Sequence, residues 1–244
     1  MTSDALPPPS FEPLEWDSRH FGIPIARLSS ATELLPANLE AAARAGIRLA
    51  YWSCAPEETS LNDAAIRLGG VQVDSKCIYE RQLSFSGQVR AESGDDDPRL
   101  NDRDALVALA LQSGELSRFR LDPFIPAGAW RRLYETWIIR SLNHEIANAV
   151  LIERAQDRPV AMITLACDGA TGEIGLFAVD AGQRGRGVGR RLLERALAWF
   201  GNAGCERVRV STQGANAGAR RVYERSGFVL AEQTNVYHFW IDTR

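Results

Sequence analysis

Val179-Asp180-Ala181-Gly182-Gln183-Arg184-Gly185-Arg186-Gly187-Val188-Gly189 is the stretch that decides the fold: the end of a strand opens onto a glycine-rich loop that runs directly into a helix. Glycine lets the backbone approach a ligand closely, because no Cβ intervenes and positive φ costs little. Past the loop, Leu192, Leu193, Ala196, Leu197 and Phe200 recur at the spacing of one helical face, while Arg190, Arg191, Glu194 and Arg195 lie off it. The loop therefore feeds a helix N-terminus, whose free N–H groups and partial positive charge favour phosphate oxygens. Arg184 and Arg186 add charged donors. Arg184, Gly185, Arg186, Gly187, Val188 and Gly189 are the candidate diphosphate cradle, set against the plainer reading of an ordinary strand-to-helix turn. A dinucleotide fingerprint is disfavoured: it needs a glycine or alanine where Leu192 stands and an acidic residue on a second strand.

Downstream, Arg207 to Val210 reads as a strand, and Asn216, Ala219, Val222 and Tyr223 as a short helix ending before Gly227 and Phe228. Asn216, Ala219, Tyr223, Gly227 and Phe228, about thirty residues after the glycine loop, resemble the second signature of the GNAT superfamily of N-acetyltransferases. Both signatures stand in the order and spacing of that family and cover about residues 150 to 244. The resemblance implies a mixed α/β acyl-CoA N-acyltransferase fold (an α+β mixed sheet) and acetyl-CoA as acetyl donor. It also implies that the strand ending at Phe177 and Val179 pairs with the pantetheine arm of the coenzyme.

Composition bounds the reading. With 244 residues and 45% apolar content the chain can bury a sizeable core as one large or two small domains. A net charge of −3 provides no basic field for a nucleic-acid backbone or an anionic membrane. Cys54, Cys77, Cys167 and Cys205 are scattered without CxxC or metal spacing, and Met1 to Ser10 has neither a basic region nor an apolar run. These features predict a reduced, cytoplasmic protein without signal or membrane span and without a bound metal. A homodimer is compatible with this reading.

Ser86 to Pro98, with Asp95, Asp96 and Asp97, breaks the apolar periodicity and reads as a linker between an N-terminal α/β domain (1–85) and a second domain (99–244). In the first domain the patterns predict strands over Ile47–Cys54 and Val71–Leu83 and helices over Ala31–Ala45 and Leu61–Leu68. In the second they predict helices near Asp102–Leu111 and Ala129–Leu142 and strands near Ala147–Glu153, Val160–Ala166 and Glu173–Val179. The opening Leu14-Glu15-Trp16-Asp17-Ser18, with Phe21 and Gly22, and the stretch Ser117-Arg118-Phe119-Arg120 leading to Tyr134, Thr136, Trp137 and Ile138 resemble sugar-nucleotide N-acetyltransferases of the dTDP-fucosamine type. That likeness spans nearly the whole chain. It implies a small-molecule amino-sugar nucleotide as acceptor, acetylated on the 4-amino group of a dTDP-4-amino-4,6-dideoxyhexose, with the galactose configuration favoured.

The chemistry needs a base for the amine, donors for the developing oxyanion and an acid for the departing sulfur. Asp74 stands where resembling enzymes carry an acidic residue that deprotonates the amine through water; a solvated aspartate at a strand start explains it equally. Backbone N–H groups of the Phe177–Val179 strand serve the oxyanion. Tyr223 resembles the tyrosine that protonates the leaving thiolate, and it also fits the core face of its helix. Asn216 suits both a contact with the pantetheine amides and a helix N-cap. Arg118, Arg120, Tyr134 and Trp137 supply the charge and aromatic surface that a sugar nucleotide calls for, although Trp130, Leu133, Tyr134, Trp137 and Ile138 also fall at core-helix spacing. His20, His144 and His238 receive no role; His238 and Trp240 share one face of a terminal strand. Another amine acceptor, such as a protein N-terminus or an aminoglycoside, and a non-catalytic CoA-binding module are the rival readings.

Overall fold

Val160 to Leu165 is an apolar run interrupted only by Thr164, as suits a strand covered on both faces. In the computed structural model these residues are buried within β6 (Arg158–Asp168). The structure describes residues 10–29, 35–83 and 98–241. Apart from Pro98, the expected linker at 86–98 lies outside the described residues, as does the start of the helix expected over 31–45.

The described residues form two compact units. The first takes the described residues within Met1–Lys76, Leu121–Pro126 and Gln233–Arg244, and the second those within Cys77–Arg120 and Ala127–Glu232. Two late segments thus join the first unit, an interleaving that one linear boundary does not anticipate.

In the first unit, β1 (Phe11–Pro13) pairs antiparallel with β2 (Ile25–Leu28). β2 runs parallel to β3 (Leu49–Cys54), which pairs antiparallel with the later residues of β9 (Val229–Trp240) in the register Leu49↔Trp240 to Cys54↔Asn235. The helices are α1 (Glu15–Phe21), α2 (Leu35–Arg44) and α3 (Thr59–Arg67). Trp52, Tyr237, Phe239, Leu35 and Ala65 belong to the apolar core they enclose. Gly22 ends α1 in the left-handed region (φ 72°). The Ser18 hydroxyl donates to Leu14 O at 2.7 Å and accepts the Ile25 N–H at 2.9 Å, fastening α1 to the start of β2.

In the second unit the strands lie in the order β4, β8, β7, β6, β5: the end of β4 (Val71–Gln82), then β8 (Arg207–Gln213), β7 (Thr171–Val179), β6 and β5 (Ala149–Ala155). β5, β6 and β7 form antiparallel hairpins, and β7 and β8 are parallel. α7 (Val188–Asn202) buries Leu192, Leu193, Ala196, Leu197 and Phe200, the face expected from spacing. Burying each such leucine or phenylalanine contributes about 1.5–3 kcal/mol of transfer free energy. Phe200 sits so close to β7 that a Cβ on Gly172 would lie 2.4 Å from its Cδ1. α4 (Arg103–Ser113) packs with α6 (Ala129–Leu142), whose bounds match the sequence expectation, and the short α5 (Arg118–Leu121) precedes it. Beneath α4 the Arg154 guanidinium makes a two-pronged bond to the Asp102 carboxylate (2.6 and 3.0 Å), both side chains nearly buried. This pairing holds the Asp102 carboxyl below the usual carboxylate range.

Candidate active site

β7 pairs with β8 from Thr171↔Arg207 to Ile174↔Val210, yet β7 continues to Val179 and β8 to Gln213. The cause lies on the opposite edge of β7. Leu165 of β6 faces Ile174, whereas Ile163 faces Phe177, so β7 carries one extra residue there. The Thr164 hydroxyl accepts the Leu176 N–H at 2.8 Å, and a Cβ on Gly175 would stand 2.8 Å from the same oxygen. Such a bulge bends a strand and re-aims the residues beyond it. Phe177, Ala178 and Val179 keep their β6 pairing while their other edge is left unpaired by β8. An edge of this kind can accept an amide-bearing ligand arm.

Past Val179 the chain enters the glycine loop. Asp180 caps a 3-10 turn (Ala181–Gln183) by accepting the Gly182 N–H at 3.0 Å. Gln112 of α4 pins the turn at two points, donating to the Asp180 carboxylate at 3.2 Å and accepting the Ala181 N–H at 3.0 Å. Arg184 donates from Nε to Val179 O at 3.0 Å. Gly185 (φ 78°) and Gly187 (φ 77°, the residue capping α7) occupy the left-handed region. Val188 is buried and anchors the first turn of α7, so it offers a ligand only its backbone. Arg186 and Gly187 are exposed. A Cβ on Gly189 would stand 3.2 Å from Val179 Cγ2 and 3.5 Å from Phe177 Cζ. The loop therefore presents main-chain N–H groups at a helix N-terminus, with two arginines beside them, which is the donor set a diphosphate requires. Arg191 and Arg195 of α7 instead hold Glu153 of β5 (3.0 and 3.2 Å) and secure the helix to the sheet.

Tyr223, on α8 (Ala217–Arg225), is buried among aromatic rings: Tyr79 at 5.8 Å, Phe228 at 5.8 Å and Phe177 at 6.2 Å between centroids. The Phe177 contact sets Tyr223 beside the bulged strand that leads into the loop. Burial raises the Tyr223 phenol well above its ordinary pKa, so it stays protonated. Its neighbour Tyr79 is committed differently, donating to Glu224 Oε1 at 2.7 Å and accepting from Arg220 Nε at 3.1 Å. Asn216 is the N-cap of α8, its Oδ1 accepting the Ala219 N–H at 3.1 Å; the side-chain NH2 group is a separate donor that this cap does not use.

Asp74 is half-buried on β4, within the first unit. Tyr134 is buried on α6, against Gly114 and between Trp130 (6.4 Å) and the half-buried Trp137 (5.1 Å), as its core-helix spacing suggests. The Arg120 guanidinium lies over Trp130 at 5.6 Å and donates to Glu115 O, and that of Arg118 lies over Phe119 at 4.6 Å. Sequence reasoning also missed a buried cluster in the first unit. His238 Nδ1 lies 2.5 Å from Asp122 Oδ2, Trp240 donates to the same oxygen at 3.0 Å, and Tyr51 stacks on the imidazole at 4.8 Å. Among the described residues no helix is long and apolar enough to cross a membrane.

Comparison with known proteins agrees with this geometry. A family model described as the acetyltransferase (GNAT) family matches residues 114–228. The chain is 31% identical over 230 residues to a dTDP-fucosamine acetyltransferase of Escherichia coli O6:H1, covering 89% of this chain and 92% of that protein. It is 27% identical over 143 residues to the spore coat polysaccharide biosynthesis protein SpsD of Bacillus subtilis, covering 59% and 49% of the two chains. Among solved structures, a GCN5-related N-acetyltransferase from Sphaerobacter thermophilus shares the fold, with a TM-score of 0.63 at 16% identity over 95% of this chain and 76% of that one.

Proposed function

The chain belongs to the GNAT acetyltransferase family and takes its acetyl group from acetyl-CoA, and from that premise we propose that its acceptor is the 4-amino group of a dTDP-4-amino-4,6-dideoxyhexose, in the galactose configuration. The observation that carries the acceptor is the extent of the likeness to the E. coli enzyme. It runs over 230 residues and reaches beyond the family region at 114–228 into the first unit.

Bound acetyl-CoA supplies a thioester carbonyl as the electrophile. The residues of this chain divide the remaining tasks. N–H groups of the 184–189 loop, with Arg184 and Arg186, hold the diphosphate, and the open edge of Phe177–Val179 takes the pantetheine arm, helped by the Asn216 amide. Backbone N–H groups on that edge meet the negative charge that gathers on the carbonyl oxygen as the amine attacks. Tyr223, kept protonated by burial, gives its proton to the departing sulfur. Asp74 draws the proton from the amine through water. Arg118, Arg120, Tyr134 and Trp137 serve the nucleotide sugar, Tyr134 mainly by fixing its neighbours.

Mass spectrometry of reactions with acetyl-CoA and either dTDP-4-amino-4,6-dideoxygalactose or its glucose-configured epimer tests the proposal. The expected result is one acetyl group added to the galactose-configured compound in preference to its epimer. Acetylation of neither, with transfer to other amines in a wider panel, would assign a different acceptor. No transfer to any amine would leave a coenzyme-binding module.

A further inference from the structure

We propose that Cys167 and Cys205 are a redox modification site, closing a reversible disulfide on exposure to hydroperoxide and so stapling the base of the coenzyme-binding strand–loop–helix unit. The two Sγ atoms are in contact at 2.6 Å across a sequence separation of 38 residues. Cys167 lies near the end of β6, where Asn148 Oδ1 accepts its N–H at 2.7 Å. Cys205 follows α7, its N–H donating to Phe200 O at 3.0 Å. The main chain fastens the two sites together independently of sulfur, because the N–H groups of Glu206 and Arg207 both donate to Ala170 O (2.7 and 3.2 Å). Closure therefore asks little movement of the backbone.

The two thiols differ in a way that orders the steps. Cys167 is half-buried and reachable, whereas Cys205 is wholly buried and its thiol is pushed up to about 12 by burial and by the neighbouring sulfur. Hydrogen peroxide oxidises the Cys167 thiol to a sulfenic acid, one peroxide oxygen passing to sulfur and the other leaving as water. The Cys205 sulfur then attacks the Cys167 sulfur; its proton leaves with the sulfenic hydroxyl as a second water, and the S–S bond forms. Two thiols are oxidised, one peroxide is reduced, and thiol exchange restores both.

The chain enclosed by the bond is β7, the glycine loop and α7. β7 has nine residues, so at ~3.3 Å per residue the staple stands about 25–30 Å along the strand from the loop. It restrains unfolding of the unit while leaving the cradle untouched.

The test oxidises reduced full-length protein with stoichiometric hydrogen peroxide, followed by non-reducing peptide mapping, thermal melts and acetyl-CoA titration. The expected result is a Cys167–Cys205 cross-linked peptide lacking two hydrogens and a Tm rise of about 5–10 °C. Dithiothreitol reverses both, and acetyl-CoA affinity changes less than about two-fold. Cys167→Ser, at a half-exposed position, folds and loses the cross-link and the rise; Cys205→Ala does the same from the buried side. Oxygen added to Cys167 without a cross-link, a bridge to Cys54 or Cys77, or a bridge with no change in Tm would overturn the proposal.

Discussion

In the proposed reaction the Tyr223 hydroxyl has one task and its ring another. The ring packs on Tyr79, Phe177 and Phe228, contacts that Tyr223→Phe retains, so the variant should melt within about 2 °C of wild type. Without the proton donor, kcat should fall roughly 100- to 1,000-fold, while acetyl-CoA affinity measured by calorimetry stays unchanged. Unaltered turnover would remove Tyr223 from the chemistry. Burial also sets the pH behaviour: the phenol is raised above its reference value of ~10 and remains an acid where a solvated tyrosine begins to ionise. The alkaline limb of the kcat profile should accordingly lie above pH ~9.5, and a limb near neutrality that vanishes in Tyr223→Phe would contradict the assignment. The helix that buries Tyr223 is legible in sequence because the residues that mark it, Asn216 and Gly227, are close in the chain. The Tyr79–Glu224 bond and the Asp122–His238 pair are not, since separations of 145 and 116 residues leave no periodic trace.

At the scale of elements, the site depends on how β7 meets its loop. Gly189→Val places a branched side chain where even a Cβ stands 3.2 Å from Val179 Cγ2. Acetyl-CoA binding should drop at least about 100-fold, the scale of a 1–3 kcal/mol overpacking cost compounded with a displaced donor array; a titration showing wild-type affinity would separate the loop from the coenzyme. Gln112→Ala tests the pin from α4. It removes both bonds to Asp180 and Ala181 from a half-buried residue. The KM for acetyl-CoA should rise about 5- to 20-fold, equivalent to ~1–1.8 kcal/mol of lost ordering, with kcat nearly intact. Strands and helices of strong periodicity, α6 and α7 among them, were readable from spacing alone. The short β1, α1 and β2 lack enough repeats to register. The bulge at Gly175 arises from a hydroxyl on the neighbouring strand, which no pattern within β7 records.

At the scale of the whole molecule, the chain returns to its first unit twice, and Asp122 shows what one of those returns contributes. Burial pushes the Asp122 carboxyl up, but hydrogen bonds from His238, the Phe124 N–H and Trp240 outweigh it and leave the group below the ordinary carboxylate range. A depressed folded-state pKa contributes stability above the unfolded value of ~3.9 and loses it as pH falls through the folded one. Melts of wild type and Asp122→Asn should therefore differ most above pH ~5, by about 5 °C or more, and converge on acidification; a constant gap would exclude this linkage. Neither this pairing nor the interleaving of 121–126 and 233–244 with the first unit is written in local sequence, because both depend on contacts formed only after the strands assemble. The strand–loop–helix turn of the proposed coenzyme cradle, by contrast, is a local device and could be read from eleven consecutive residues. A crystal structure of the complex with CoA tests the central claim most directly. The account predicts diphosphate oxygens within ~3.2 Å of N–H groups in the 184–189 loop and the CoA sulfur within ~3.5 Å of the Tyr223 hydroxyl. Density for the coenzyme away from that loop, or a sulfur remote from Tyr223, would contradict it.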